Sequence, residues 1–179
     1  MPDMLNYANT QRLLDELPAE HKKLVEDVVP AMVTVTVLQR VLQTLLAERV
    51  SIRDLPTILV GLAEASGYTC IVRGRMARQI CSANADAAGV VPVVSLAAEW
   101  EQAFLESLHG QGEEKQLAMP PSQLQEFIES VRQMFAKQAQ IGVLPVVLTG
   151  PAIRPYVRSI IERFRPATVV MSQNEIHPK

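Results

Sequence analysis

LPVVLTGPAIRPYVRSIIERFRPATVVM, residues 144–171, reads as strand, helix, strand. Leu144 to Thr149 is an apolar, β-branched run, and Ala152 to Phe164 carries helical spacing behind a proline at its start. Thr168 to Met171 is β-branched again. Two strands joined by one helix are expected to pair in parallel, with a right-handed crossover. Upstream, Val90 to Leu96 is another β-branched run, followed by helices at Ala97 to Leu108 and Ser122 to Gln140. Between those helices, His109 to Pro121 is rich in glycine, charge and proline, which predicts a mobile loop.

The first half lacks such runs and reads as helices separated by punctuation. Thr10 to Leu17 ends at Pro18 and Ala19 to Val29 at Pro30, since the residue before a proline avoids helical geometry. From Thr36 to Arg49 the residues Val37, Leu38, Val41, Leu42, Leu45 and Leu46 fall in pairs four apart, on one helical stripe. Ser51-Ile52-Arg53-Asp54 has the pattern of a capping box, so a helix is expected to start there, burying Leu55, Ile58, Leu59 and Leu62 and fading near Ser66-Gly67. One further helix is expected over Thr69 to Asn84, with Ile71, Val72, Met76, Ala77 and Ile80 inward and Arg73, Arg75 and Arg78 on other faces. The small, weakly patterned residues 85–89 mark a boundary. The fold class is therefore α+β: an all-helical subdomain, residues 1–84, precedes a small α/β subdomain, residues 85–179, with a short, at least partly parallel sheet.

Composition excludes several function classes. Seventeen basic and nineteen acidic side chains are interspersed, for a net charge of -2, so there is no basic field for a nucleic-acid backbone. No apolar run approaches the roughly 20 residues of a membrane span. Cys70 and Cys81, with ten residues between them, match neither a CxxC pair nor a zinc ribbon; both are expected as buried apolar filler.

The search for chemistry finds scattered groups. His21, His109 and His177 share no ligand spacing and are read as solvated, so no metal or cofactor is expected. Glu99 and Glu101 flank Trp100 and, two apart on a helix, point in different directions toward solvent. Trp100, Phe104 and Leu108 form a core stripe. Thr149-Gly150-Pro151 is the best anion-site candidate, a strand-to-helix turn whose first amides point outward, although it lacks a phosphate-loop pattern. On it rests the alternative reading, a small α/β enzyme or anion-binding domain. Arg154, Arg158, Arg163 and Arg165 on the next helix are assigned to nearby carboxylates or solvent rather than to a ligand.

Several segments together resemble one family. They are TQRLLDELPAEHKKLVEDVVP (10–30), VLQRVLQTLLAERVSIRDLPTIL (37–59), RMARQI (75–80), EWEQAFLESL (99–108), LPVVLTGPAIRPYVRSIIERFRP (144–166) and VVMSQNEIHP (169–178). In content and order they are similar to the carboxyl-terminal half of the cytoplasmic region of the FlhA/SctV family of type III secretion export-gate proteins, and the flagellar branch fits better. The resemblance implies a non-catalytic part of an inner-membrane protein, lying on the cytoplasmic face. It also implies assembly into a nonameric ring and docking of export substrates, export chaperones and export ATPase complex components. The family usually carries an acidic residue where this chain has Val60, and its relatives have two more subdomains before this region and a further strand after it. An excised fragment is therefore expected, monomeric or weakly associating, with a sheet edge left open. Candidate subunit contacts are Arg40, Glu48, Arg53 and Asp54, charged positions around the best-marked helices, whose rival roles are intrachain ion pairs and the Asp54 helix cap.

Overall fold

Local capping explains where the first helices begin. In the computed structural model, which describes residues 5–65, 69–111 and 115–177, the Asn6 side chain accepts from the Asn9 amide at 2.8 Å and opens α1 (Tyr7–Asp15). A 3-10 turn (Ala19–His21) leads into α2 (Lys22–Val28), and the Thr34 hydroxyl accepts from Val37 N at 3.3 Å to open α3 (Val35–Ala47). The expected stripe of α3 is inside: Leu38, Val41, Leu42 and Leu45 are all buried.

The end of α3 is closed without glycine. Arg49 N donates to Leu46 O at 3.0 Å and Val50 N to Leu45 O at 2.9 Å, the paired closure of a helix end, with Val50 buried beside Leu45. Arg49 holds φ of 60°, a conformation costing a non-glycine residue roughly 1–2 kcal/mol. Arg49→Gly should therefore raise stability by about 0.5–1 kcal/mol after glycine's greater chain entropy is offset. A urea midpoint that stays put or falls would contradict this account.

Helix α4 (Leu55–Ala65) starts where the sequence placed it, but with a different cap. Asp54 Oδ1 accepts from Thr57 N at 3.3 Å, while Ser51 Oγ accepts only from Arg53 N at 3.4 Å. Asp54 is the residue directly before the helix and Ser51 lies too far back. Leu55, Ile58, Leu59 and Leu62 are buried as expected; the expected fade at Ser66-Gly67 lies outside the described residues. Helices α4 and α5 (Thr69–Arg75) approach closely at Gly61, where a Cβ would stand 3.1 Å from Val72 Cα.

The single helix expected over 69–84 is two, α5 and α6 (Ala77–Asn84), separated at Met76. Its amide is shared between Val72 O at 3.1 Å and Arg73 O at 3.0 Å. Cys70 is exposed rather than filler, Cys81 is half-buried, Ile71 is 41% exposed, and Arg73 is 1% exposed rather than outward. The buried face runs through Val72, Arg73, Met76, Ala77 and Ile80, at helical spacing.

The chain divides into two units, Met1–Ile80 and Cys81–Lys179, a little before the composition change after Asn84. In the second unit, residues 85–90 form a tight turn in which Asp86 Oδ1 accepts from Ala88 N and Val90 N, each at 2.9 Å. Next come β1 (Val93–Ser95), α7 (Ala98–Glu106), α8 (Pro121–Gln140), β4 (Val146–Thr149), α9 (Arg154–Ile161) and β5 (Val170–Ser172). The three strands form one parallel sheet in the order β1-β4-β5, with Val94 opposite Val147 and Leu148 opposite Met171. The stretch read as a mobile loop contributes to a strand pair, β2 (Leu108–His109) antiparallel to β3 (Gln116–Leu117); residues 112–114 lie outside the described residues. Two paired residues per strand give no alternation to detect.

The core of this unit gathers Phe104, Phe127, Val131, Phe135, Val147 and Val157. Phe104 and Trp100 both meet Phe127 edge-on, with centroids 5.0 and 5.2 Å away. The expected stripe of Trp100, Phe104 and Leu108 thus packs inward, with Phe104 fully buried and its neighbours partly so.

Candidate functional site

Parallel sheets bind ligands beyond the carboxyl ends of their strands, so the site to test is where β1, β4 and β5 finish. A cleft of about 320 Å³ opens there, lined by Ser95, Glu101, Gln102, Leu148 and Gln173 among others. The Thr149-Gly150-Pro151 turn lies beside it. Gly150 N–H donates to Glu101 Oε1 at 2.8 Å, and the Thr149 hydroxyl donates to the Gly150 carbonyl at 3.0 Å. Glu101 is therefore a structural acceptor reaching back from α7, not a solvated side chain, whereas Glu99 is exposed. The amide that would greet an anion already holds the chain's own carboxylate, and a second anion would meet that charge.

Two measurements check this occupancy. Inorganic phosphate should leave the melting temperature unmoved, whereas a ligand at 100 times its Kd adds about 2.7 kcal/mol. Glu101→Ala should cost roughly 1–2 kcal/mol by orphaning the Gly150 amide, and Glu101→Gln, which keeps an acceptor, should cost less. Stabilisation of the unaltered chain by phosphate would restore the anion-site reading.

The arginines of α9 are paired within the fold. Arg154, 3% exposed, sets Nε 3.6 Å from Glu175 Oε1 and donates from Nη1 to Val170 O at 3.1 Å. Arg158 Nη2 lies 3.6 Å from Glu162 Oε2, while its buried Nη1 makes no hydrogen bond. Arg165 stacks over Phe135 at 4.1 Å, and Arg163 is exposed. Sequence reasoning assigned these residues to carboxylates or solvent but missed that Glu175, 1% exposed, is the buried partner of Arg154. The one available signal was that Glu175 is the sole acid between Glu162 and the end of the sequence.

The four nominated contact residues divide by environment. Arg40 and Arg53 are exposed, as is Asp54, which caps α4. Glu48 is mostly inside, its Oε2 2.9 Å from Arg73 Nη1. Val60, the position at which the resemblance implies an acid, is 36% exposed on α4. His21 approaches Glu20 at 3.5 Å, and His109 and His177 are exposed on a strand and in the last described residues. Cys81 Sγ lies 3.1 Å from Glu175 O. Among the described residues no three metal-ligating side chains gather, and no helix is long and apolar enough to cross a membrane.

Comparison with known proteins adds to this geometry. The sequence pattern of the FHIPEP family matches residues 1–179. A flagellar biosynthesis protein FlhA from Caulobacter vibrioides is 58% identical over 186 residues, spanning 100% of this chain and 27% of that protein. The chain thus spans about a quarter of that relative's length. Among solved structures, Chlamydia pneumoniae CdsV, in a complex with CdsO, superposes with a TM-score of 0.86 at 24% identity, covering 99% of this chain and 54% of that one. Nonameric SctV-C of EPEC superposes with a TM-score of 0.83 at 24% identity, covering 98% of this chain and 55% of that one. These two likenesses concern the fold.

Proposed function

The chain belongs to the FHIPEP family, and from that membership we propose that it is a non-catalytic part of a flagellar type III protein export gate. Its work is to present surface to other macromolecules on the cytoplasmic face of the inner membrane, contributing to a nonameric ring and to docking of export substrates, chaperones and export ATPase components. The observation that carries the reading is the 58% identity to a flagellar FlhA across the whole chain. The fold is consistent with it, because the buried charges Arg154, Glu175 and Arg73 are held in internal ion pairs. The nonameric state of EPEC SctV-C and the CdsO complex of CdsV support assembly and partner docking by analogy. For subunit contacts the same four positions are proposed, Arg40, Arg53 and Asp54 being exposed and Glu48 half-buried against Arg73.

Exchanging the matching segment of the C. vibrioides protein for this chain tests the proposal. Cells carrying the exchange as their sole copy should assemble flagella and swim. A stable, correctly sized exchange protein that leaves cells without flagella would overturn it.

A further inference from the structure

The free edge of β1 and two clefts that meet there point to a peptide site. Pro92 O accepts from Val146 N at 2.8 Å and Leu96 N donates to Leu148 O at 2.9 Å, so these alternate residues face β4. Strand backbone groups alternate sides, which turns the N–H and C=O of Val93 and Ser95 outward. Both residues are exposed, and among the described residues no strand pairs on that side. Two clefts share Ser95 and Leu96. One, about 110 Å³, is apolar, lined by Trp100, Phe127, Val131 and Met134. Val94 faces it, being in register with Val147 of the same core. The other is the 320 Å³ cleft presenting Glu101.

We propose that β1 accepts an extended peptide segment as an added strand, one in which an apolar residue adjoins a lysine or arginine. Neighbouring side chains of a strand point to opposite faces. A residue beside Val94 would fill the Trp100 cleft, and its neighbour beside Ser95 would turn toward Glu101. Glu101 uses Oε1 for the Gly150 amide, and a carboxylate has further lone pairs for an ammonium or guanidinium group. Glu99, exposed in the same first turn of α7, adds to the negative field. Main-chain bonding gives such a site affinity and the two clefts give it selectivity. The site rests on the docking reading above, but peptide binding and flagellar assembly are scored separately, so either can fail alone.

The test uses the 179-residue chain and the capped hexapeptides TVLKVT and TVLEVT, read by Trp100, its single tryptophan. TVLKVT should change Trp100 fluorescence saturably, and TVLEVT should bind about tenfold more weakly. Glu101→Gln, which keeps the Gly150 acceptor, should weaken TVLKVT about fivefold and narrow the gap between peptides. Ser95→Pro removes an outward N–H and should abolish binding, since proline is tolerated on an edge strand. If that variant unfolds, TVLKVT with alternate backbone N-methyl groups serves instead, and should not bind. No saturable signal, equal affinity for both peptides, or binding indifferent to backbone methylation would overturn the proposal. So would a dimer by sedimentation that Ser95→Pro dissolves, because a second copy would then own the edge.

Discussion

Arg154→Ala is expected to lower the unfolding free energy of the second unit by about 3–5 kcal/mol, the usual result of removing one partner from a buried ion pair. The side chains of Arg154 and Glu175 are 3% and 1% exposed, so water cannot take over the solvation of whichever charge remains. The arginine also donates to Val170 O in β5, and its loss strips an acceptor of its partner. Glu175→Gln should cost less than Arg154→Ala because an amide can still accept. The double replacement Arg154→Leu with Glu175→Leu should recover much of the loss, since paired removal leaves no buried charge. Urea midpoints of the four proteins test this. An Arg154→Ala effect under about 1 kcal/mol would mean that the pair is solvated or dispensable.

That pair also marks the limit of what the sequence discloses. Elements with local causes were legible: the α3 stripe, the prolines that end α1 and α2, and the β-branched runs of β1, β4 and β5 all act within a few residues. Pairings across many residues were not. Glu101 finds Gly150 and Glu48 finds Arg73 only once the chain has folded, and composition treats each as surface charge. Arg73 is instructive, because spacing alone put it one turn from Ala77 on the buried face, and its charge argued it outward. Ile71 erred in the opposite direction for the same reason. In both cases helical geometry was the better guide than residue type. Of the candidate site, the carboxyl ends of the strands were legible from the strand-helix-strand order, whereas the carboxylate filling the turn was not. The open edge of β1 needed the strand order, since sequence gives no sign of which strand lies in the middle.

Phe104→Ala should produce a loss of similar size, about 3–5 kcal/mol, by a different route. Phe104 has no exposed surface and meets Phe127 edge-on at 5.0 Å, in the same cluster as Val131, Val147 and Val157. Truncation removes its transfer free energy and leaves a void that helices fixed at both ends can fill only in part. The edge-on contact adds about 0.5–1.5 kcal/mol beyond area. Phe104→Leu keeps most of the volume and should cost clearly less, separating the void from the lost aromatic geometry. Trp100 supplies the readout, because its ring lies 5.2 Å from Phe127 and reports the packing of the same ring. In Phe104→Ala its emission should shift to the red before the unfolding transition as water enters the gap. Stability near that of the unaltered chain, with an unshifted Trp100 spectrum, would show that α7 and α8 close over the hole. The Trp100 cleft beside β1 would then be adaptable in shape rather than preset, which would loosen its selectivity for the apolar residue of a bound strand.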